Sequence, residues 1–410
     1  MIPRRTARTP LAAALIALAA LALGALPEAP QVTPLLAATA LQPLRGAGAD
    51  ARGADVTGPW LRVESAGPGA MLGIGNAAPL DPPLDLRDRF VSLRVRVDHA
   101  ERLTGAELAL SSREGAFLIP VTVFADEPMN LLQSGQWLDL TLGFGAARSV
   151  GTPDRAAIER VEWRLSERAE PGPPLVGWVG GLSARPLPPA GVVSLTFDDG
   201  YDDHYAIAAP MLAEHGFRGT AYVMPDQIGL PGYLTLEQLH ALERDFHWDV
   251  AAHHFTPFTD FPPAELPGIL DGIQGYLAAQ GLGAGRLHLA YPLGKHDARI
   301  LALVRARFAT ARLASGGAET LPPADPLRLR AYNVLATTPP AAIAAAARRA
   351  RDEREWLILM FHYLVDAPQR DTEYPIGALR EVLAGISESG VAVRPVSEVW
   401  RDQGGASPTR

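Results

Sequence analysis

Arg185-Pro-Leu-Pro-Pro-Ala-Gly-Val-Val-Ser-Leu-Thr-Phe-Asp-Asp-Gly200 is where the chain changes character. The Pro-rich half cannot continue a regular element and reads as a boundary. The half that follows, Val192–Phe197, reads as a strand and ends on the turn signal Asp198-Asp199-Gly200. Beyond it, strand and helix patterns alternate. Helix is expected over Tyr205–His215 and from Thr235, where Gln238 completes a capping box. Further helices are expected around Leu266–Ala279, Ala298–Phe308, Ala341–Glu353 and Leu379–Ser389. Between them lie strands over Thr220–Met224, Asp249–His253, Leu287–Pro292, Ala309–Leu313, Leu329–Val334, Trp356–Phe361 and Val391–Val396. Repeated βα units imply a parallel sheet. Seven or eight of them in about 210 residues suit a barrel better than an open sheet.

Upstream the period is two. Val91, Leu93, Val95 and Val97 alternate with polar residues, as do Leu138, Leu140, Leu142 and Phe144, and Val161, Trp163 and Leu165. Short alternating runs between Gly, Pro and Ser turns predict an antiparallel β-sandwich with one wet face per sheet. The expected fold class is α/β, a (β/α) barrel preceded by that sandwich. The expected order is an export segment or anchor (1–29), a flexible leader (30–57), the sandwich (58–184), the linker (185–190), the barrel (191–402) and a tail (403–410).

Composition bounds the chemistry. The 410 residues hold 37 Lys and Arg against 45 Asp and Glu, and this acidic balance argues against a nucleic-acid partner. Hydrophobic residues make up 48%, enough to exclude disorder by low hydrophobicity. Cysteine is absent, so disulfides, thiol nucleophiles and thiolate-bound metals are excluded. At the N-terminus, Arg4, Arg5 and Arg8 precede the uncharged run Leu11–Leu26 and Pro27, the layout of a secretory signal. The run is shorter than a comfortable span of roughly 20 residues. The protein is expected to be exported, to the periplasm or beyond, touching a membrane only through that segment if it stays uncleaved.

Of the 10 His, only His99 precedes the linker. Barrel sites form where strands end at the C-terminal mouth. Those ends carry Asp198 and Asp199, then His253 and His254, then Tyr291-Pro292-Leu293-Gly294, then His362. Singly, each has an ordinary reading as a turn, a loop residue or a bonded core histidine. Together they offer carboxylates and imidazoles, the donors that suit Zn²⁺ or a similar divalent ion when no thiolate is available. Metal-assisted hydrolysis of an amide or ester is the reaction class they suggest.

Leu195-Thr-Phe-Asp-Asp-Gly200, Tyr291-Pro-Leu-Gly294 and Leu357-Ile-Leu-Met-Phe-His362 resemble, in order and spacing, motifs of the polysaccharide deacetylases, the NodB-homology domain of carbohydrate esterase family 4. The resemblance covers about Gly191 to Trp400. It implies a distorted barrel and hydrolysis of N-acetyl groups on an amino-sugar polysaccharide. It makes Asp198 the general base, Asp199 and His253 metal ligands, and His362 the general acid. Tyr291, Pro292, Leu293 and Arg330 become substrate-binding, with a backbone N–H near Leu293 holding the oxyanion. The family's second histidine ligand falls on Pro257, which has no donor, so His254 is the candidate replacement. The arginine that often precedes the Tyr-Pro turn is replaced by Ala290, leaving Arg330 or Lys295 to orient Asp198. A degenerate barrel that binds glycan without hydrolysing it is the alternative. The sandwich resembles the accessory modules that precede such domains. It holds Trp60, Trp137, Trp163 and Trp178, which suit sugar stacking if exposed and core packing if not, and Trp163 shares a strand face with Leu165.

Overall fold

The computed structural model describes residues 32–405. The expected signal Leu11–Leu26 lies outside them, and no helix among the described residues is long and apolar enough to cross a membrane.

The N-terminal half is two packed antiparallel sheets. Its strands are β1 (Thr33–Ala37), β2 (Gln42–Arg45), β3 (Ala47–Asp55), β4 (Gly58–Ser65), β5 (Met71–Gly75), β6 (Arg89–Asp98), β7 (Leu103–Ser112), β8 (Gly115–Val121), β9 (Leu138–Leu142), β10 (Arg148–Gly151), β11 (Arg160–Glu167) and β12 (Val176–Pro186). One sheet runs β3-β4-β12-β6-β9, with β1 also on β12; the other runs β10-β8-β7-β11-β5-β2. The period-two runs do what alternation requires. Val91, Leu93, Val95, Val97, Leu138, Leu140, Val161, Trp163 and Leu165 are all buried between the sheets.

The expected leader is different. Residues 33–55 form β1, β2 and β3 and join both sheets. β3 hid because almost every side chain on it is exposed. Backbone pairing holds it, from Ala47 opposite Ser65 to Asp55 opposite Gly58.

The C-terminal half is a closed parallel barrel of seven strands. These are β13 (Val192–Phe197), β14 (Gly219–Val223), β15 (Asp249–Ala252), β16 (His288–Ala290), β17 (Thr310–Gly316), β18 (Leu329–Asn333) and β19 (Trp356–Phe361). The sheet runs β14 to β19 in order, then β13, which pairs back to β14 and closes the ring. Every residue of β13 is buried, its two polar side chains included: Ser194 donates to the Arg394 carbonyl and Thr196 to that of Leu359. The short pair β20 (Tyr363–Val365) and β21 (Glu373–Pro375) lies beyond β19, and β22 (Ala392–Val393) flanks β13. The last expected strand, Val391–Val396, is cut short because Val396 begins a helix to Asp402. Between β13 and β14, the helix Ala209–Ala213 is entered through a π-turn over His204–Ala208.

Candidate active site

β13 delivers two consecutive carboxylates in different directions. Asp198 is 4% exposed, and its backbone N–H donates to the Phe361 carbonyl of β19. Asp199 turns away because its φ is +72°, followed by Gly200 at +76°. A left-handed aspartate is uncommon and locally strained, and this one rotates its carboxylate towards β15.

Asp198 is held by Arg312 of β17. The Arg312 Nη2 donates to both carboxylate oxygens, at 2.5 and 2.6 Å, while Nη1 donates to the Leu313 carbonyl at 2.8 Å. Arg312 is 1% exposed and its guanidinium lies 4.9 Å from the Tyr222 ring centroid. So the orienting arginine comes from β17. Arg330 pairs instead with Glu319 at 2.5 Å and donates to the Thr141 carbonyl of β9 at 3.0 Å. Lys295 pairs with Asp126 at 2.8 Å. Arg330 is therefore corrected from substrate contact to a tie between barrel and sandwich, because it is buried with its charge paired to Glu319 and its Nε and Nη2 bonded to Glu319 and Thr141.

His253 follows β15 and is 5% exposed. Its Nδ1 donates to the Ala290 carbonyl at 2.8 Å, which fixes the tautomer and leaves the Nε2 lone pair free. Nε2 stands 3.5 Å from Asp199 Oδ1. Two ligands of one tetrahedral ion, each at about 2.0–2.2 Å, stand about 3.4 Å apart, so this pair fits two corners of a divalent-metal site. Burial alone favours neutral forms of both, but each partner outweighs it. The imidazole holds the Asp199 carboxyl below its ordinary value, and Asp199 with Asp198 raises His253 above the ordinary imidazole value.

No third donor from the described residues completes the centre. Among the described residues no group of three His, Asp or Glu side chains could hold an ion. The Nδ1 of His254 accepts from the Thr256 N–H at 3.0 Å, and its ring lies against Phe258 and Phe261, 5.8 and 5.3 Å between centroids. His254 is thus engaged with its own loop rather than grouped with Asp199 and His253. Pro257 caps a short turn over Phe258–Asp260.

His362 follows β19. Its Nδ1 is buried without a partner, and burial lowers its proton affinity, opposed by Asp198 and Asp199. Its carbonyl accepts from the Nε2 of His204 at 3.0 Å, so the π-turn is latched to the site.

The Tyr291 turn divides in two. Tyr291 is 2% exposed and stacks on His296 at 5.2 Å, with its hydroxyl buried and unpartnered, and Pro292 is buried beside it. Those two are corrected from substrate-facing to packing residues. Leu293 stands 62% exposed with φ +55° at the tip of a turn closed by the Gly294 and Lys295 N–H groups.

Sequence reasoning missed an aromatic wall. Tyr201 stacks on Tyr233 at 5.3 Å and leans on Tyr363 at 4.9 Å. All three are partly exposed; in the chain Tyr201 lies two residues from Asp199 and Tyr363 directly follows His362. Burial and the Asp199 charge raise the Tyr201 hydroxyl well above its ordinary value. The signal for Arg312 was readable: a charged residue inside the core run Ala309-Thr-Ala-Arg-Leu313 needs a buried partner.

Carboxylates and imidazoles gathered at the C-terminal mouth of a parallel barrel are the equipment of a hydrolase. The polysaccharide deacetylase family model matches residues 186–307, the segment that carries Asp198, Asp199, His253, His254 and the Tyr291 turn. Over that segment the barrel is similar to the polysaccharide deacetylases. Arg312 and His362 lie beyond the matched segment. No curated protein matches the chain. Similar solved structures include the Xyl-CE4 domain of a multidomain xylanase from the hindgut metagenome of Trinervitermes trinervoides, at 12% identity over 54% of this chain and 95% of that one, TM-score 0.39. A family 4 acetyl xylan esterase from Clostridium thermocellum, in complex with a cobalt ion, is 16% identical over 53% of this chain and 94% of that one, TM-score 0.39. A family 4 carbohydrate esterase from Streptomyces lividans, in complex with acetate, is 19% identical over 50% and 91%, TM-score 0.36.

Proposed function

We propose that this chain is an exported, metal-assisted hydrolase that removes N-acetyl groups from an amino-sugar polysaccharide. The observation that carries the reading is the convergence of Asp198 on Arg312 with the Asp199–His253 pair at the same barrel mouth. Asp199 and His253 would hold a divalent ion such as Zn²⁺, with water and substrate filling its other positions. Such an ion supplies a water of lowered pKa and polarises the acetyl carbonyl. Asp198, oriented by Arg312, takes the proton of the attacking water. The Leu293 N–H faces the developing oxyanion. His362 returns a proton to the leaving amine.

Acetate release from N-acetylated oligosaccharides, measured with metal content by mass spectrometry, tests the reading. Asp198→Asn is expected to lose activity by roughly 10²–10⁴-fold while keeping its metal. Absence of both bound metal and acetate release in the purified wild-type chain, even with added Zn²⁺ or Co²⁺, overturns it. That result would favour the second reading, a glycan-binding barrel without turnover, which the two-donor site supports.

A further inference from the structure

Outside the barrel, the sandwich carries an indole cluster where a sheet needs none. On β4, β6 and β12 one face is core: Leu61, Val63, Val95, Val97 and Val179 are buried. The other face is wet, and on it Trp178 stands beside Trp60, ring centroids 4.7 Å apart at 64°. Trp137, just before β9, lies 6.3 Å from Trp178. All three are partly exposed, whereas Trp163 is a 1% exposed core residue. Amphipathic rings kept half in water are typical of binding surfaces.

The surroundings are built to hold the rings in place. Arg96 lies 4.9 Å from the Trp178 centroid and Arg94 lies 4.6 Å from that of Trp137. The Trp178 Nε1 donates to Asp98 at 2.8 Å. Gly53 on β3 lies directly under Trp60, where a Cβ would fall 2.3 Å from the indole. The indole is thus laid flat on glycine backbone. Gly180 does the same for Arg94, whose Cδ would meet a Cβ at 2.6 Å. Next to Arg94, a groove of about 570 Å³ runs over Gly180 and Gly181 between β1 and Asp139.

Charge selects the ligand. Arg62 pairs with Glu64 at 3.0 Å, Arg96 with Asp98 at 2.8 Å, and Arg94 with Asp139 at 4.0 Å. Each cation has its own carboxylate, so the face offers no net field to a nucleic acid or a polyuronate. It offers flat apolar rings flanked by planar donors and acceptors. That combination suits a sugar ring, which has an apolar C–H face and a girdle of hydroxyls. We infer that the outer face of this sheet is a second glycan site, taking an uncharged polysaccharide with Trp60 and Trp178 as its stacking platform. The inference stands on the sandwich and does not need the barrel to be active.

The test uses the full chain carrying Asp198→Asn, so that nothing is turned over. The probes are an N-acetylglucosamine hexamer, a soluble uncharged β-glucan and polygalacturonate. Binding is read by calorimetry and by iodide quenching of tryptophan fluorescence. At least one uncharged probe is expected to bind with little salt dependence and to shield the indoles. Trp60→Ala and Trp178→Ala should each weaken that binding at least tenfold, with unchanged far-UV circular dichroism. If Trp178→Ala fails to fold, Trp60→Ala and its rescue by Trp60→Phe decide alone. Failure of every uncharged probe to bind, equal binding by the Trp variants, or preference for polygalacturonate overturns the inference. Acetate release by the Trp variants without Asp198→Asn reads the barrel separately and should be unchanged on a short oligosaccharide.

Discussion

Arg312 is the residue on which the site's geometry turns. It is buried in β17, and its Nη2 spans both oxygens of Asp198. Removing one partner of a buried pair leaves an uncompensated charge, at a cost of about 3–5 kcal/mol. Arg312→Ala should therefore lower stability by that order, read by denaturant titration. Arg312→Lys should keep the charge but lose the two-oxygen grip, since an ammonium is a point donor. Its expected signature is a kcat drop of roughly 10²-fold, the cost of misplacing a reacting group, with KM nearly unchanged. A KM rise with kcat intact would mean that Arg312 contacts substrate. At the neighbouring pair, His253→Ala should abolish stoichiometric metal binding, while His254→Ala should leave metal content near wild type because its ring packs on Phe258 and Phe261 of its own loop and is not grouped with Asp199 and His253. At this scale the strand ends that carry Asp198, Asp199, His253 and His362 were legible, because the hydrophobic pattern marks where each strand stops. The sequence read poorly where long-range pairing decides. The core run around Arg312 says that it needs a buried partner, but nothing local says which carboxylate Arg312, Arg330 or Lys295 takes, and each one's partner lies on a different element.

Among the elements, β19 shows how the two halves are fitted. Glu355, just before it, sits in a notch made by Gly143 and Gly145, where a Cβ at either position would meet its carboxylate within 2.2 Å. The Gly145 N–H donates to it at 3.0 Å. Burial raises its pKa from 4.5 to about 7. A folded value above the unfolded one means that the folded chain binds the proton more tightly. The stability this brings is full below about pH 4.5 and is lost as pH rises through about 7, on the order of 3 kcal/mol in all. Glu355→Gln keeps the shape and removes the titration. The difference between wild type and variant in urea-unfolding free energy should therefore grow from pH 4.5 to 8, with the variant favoured at the alkaline end. Parallel pH curves for the two proteins would show that Glu355 does not titrate in this way. Gly143→Ala should destabilise at every pH, because the clash does not depend on protonation. The notch was not legible in the sequence: Gly143 there reads as a polar-side position of an alternating run. Its function as a socket depends on a carboxylate more than two hundred residues away.

Over the whole molecule, the order of sandwich and barrel was readable because the hydrophobic period changes from two to alternating βα units at the Pro-rich stretch. That stretch marks a change of architecture and not a hinge, since the two halves are tied across it at several points. Arg155 grips Glu353 through two bonds of 2.7 Å, Gln133 donates to the His296 carbonyl at 2.8 Å, and Arg328 donates to the Leu131 carbonyl at 3.0 Å. Arg330 adds its bond to Thr141 while paired with Glu319. Ties of this number, most of them buried, couple the unfolding of one half to that of the other. The chain is expected to melt in a single calorimetric transition, and two resolved transitions would show the halves to be independent. Arg330→Ala removes a tie and strands Glu319, at a cost of about 3–5 kcal/mol. For about 370 ordered residues the unfolding entropy is about 0.8 kcal/mol per degree, so Tm should fall by about 5 °C. KM and kcat on a soluble N-acetylated oligosaccharide should stay within about twofold of wild type, because Arg330 is buried and paired with Glu319 at the seam of barrel and sandwich. A variant with unshifted Tm and raised KM would return Arg330 to the substrate groove and contradict the packing described here.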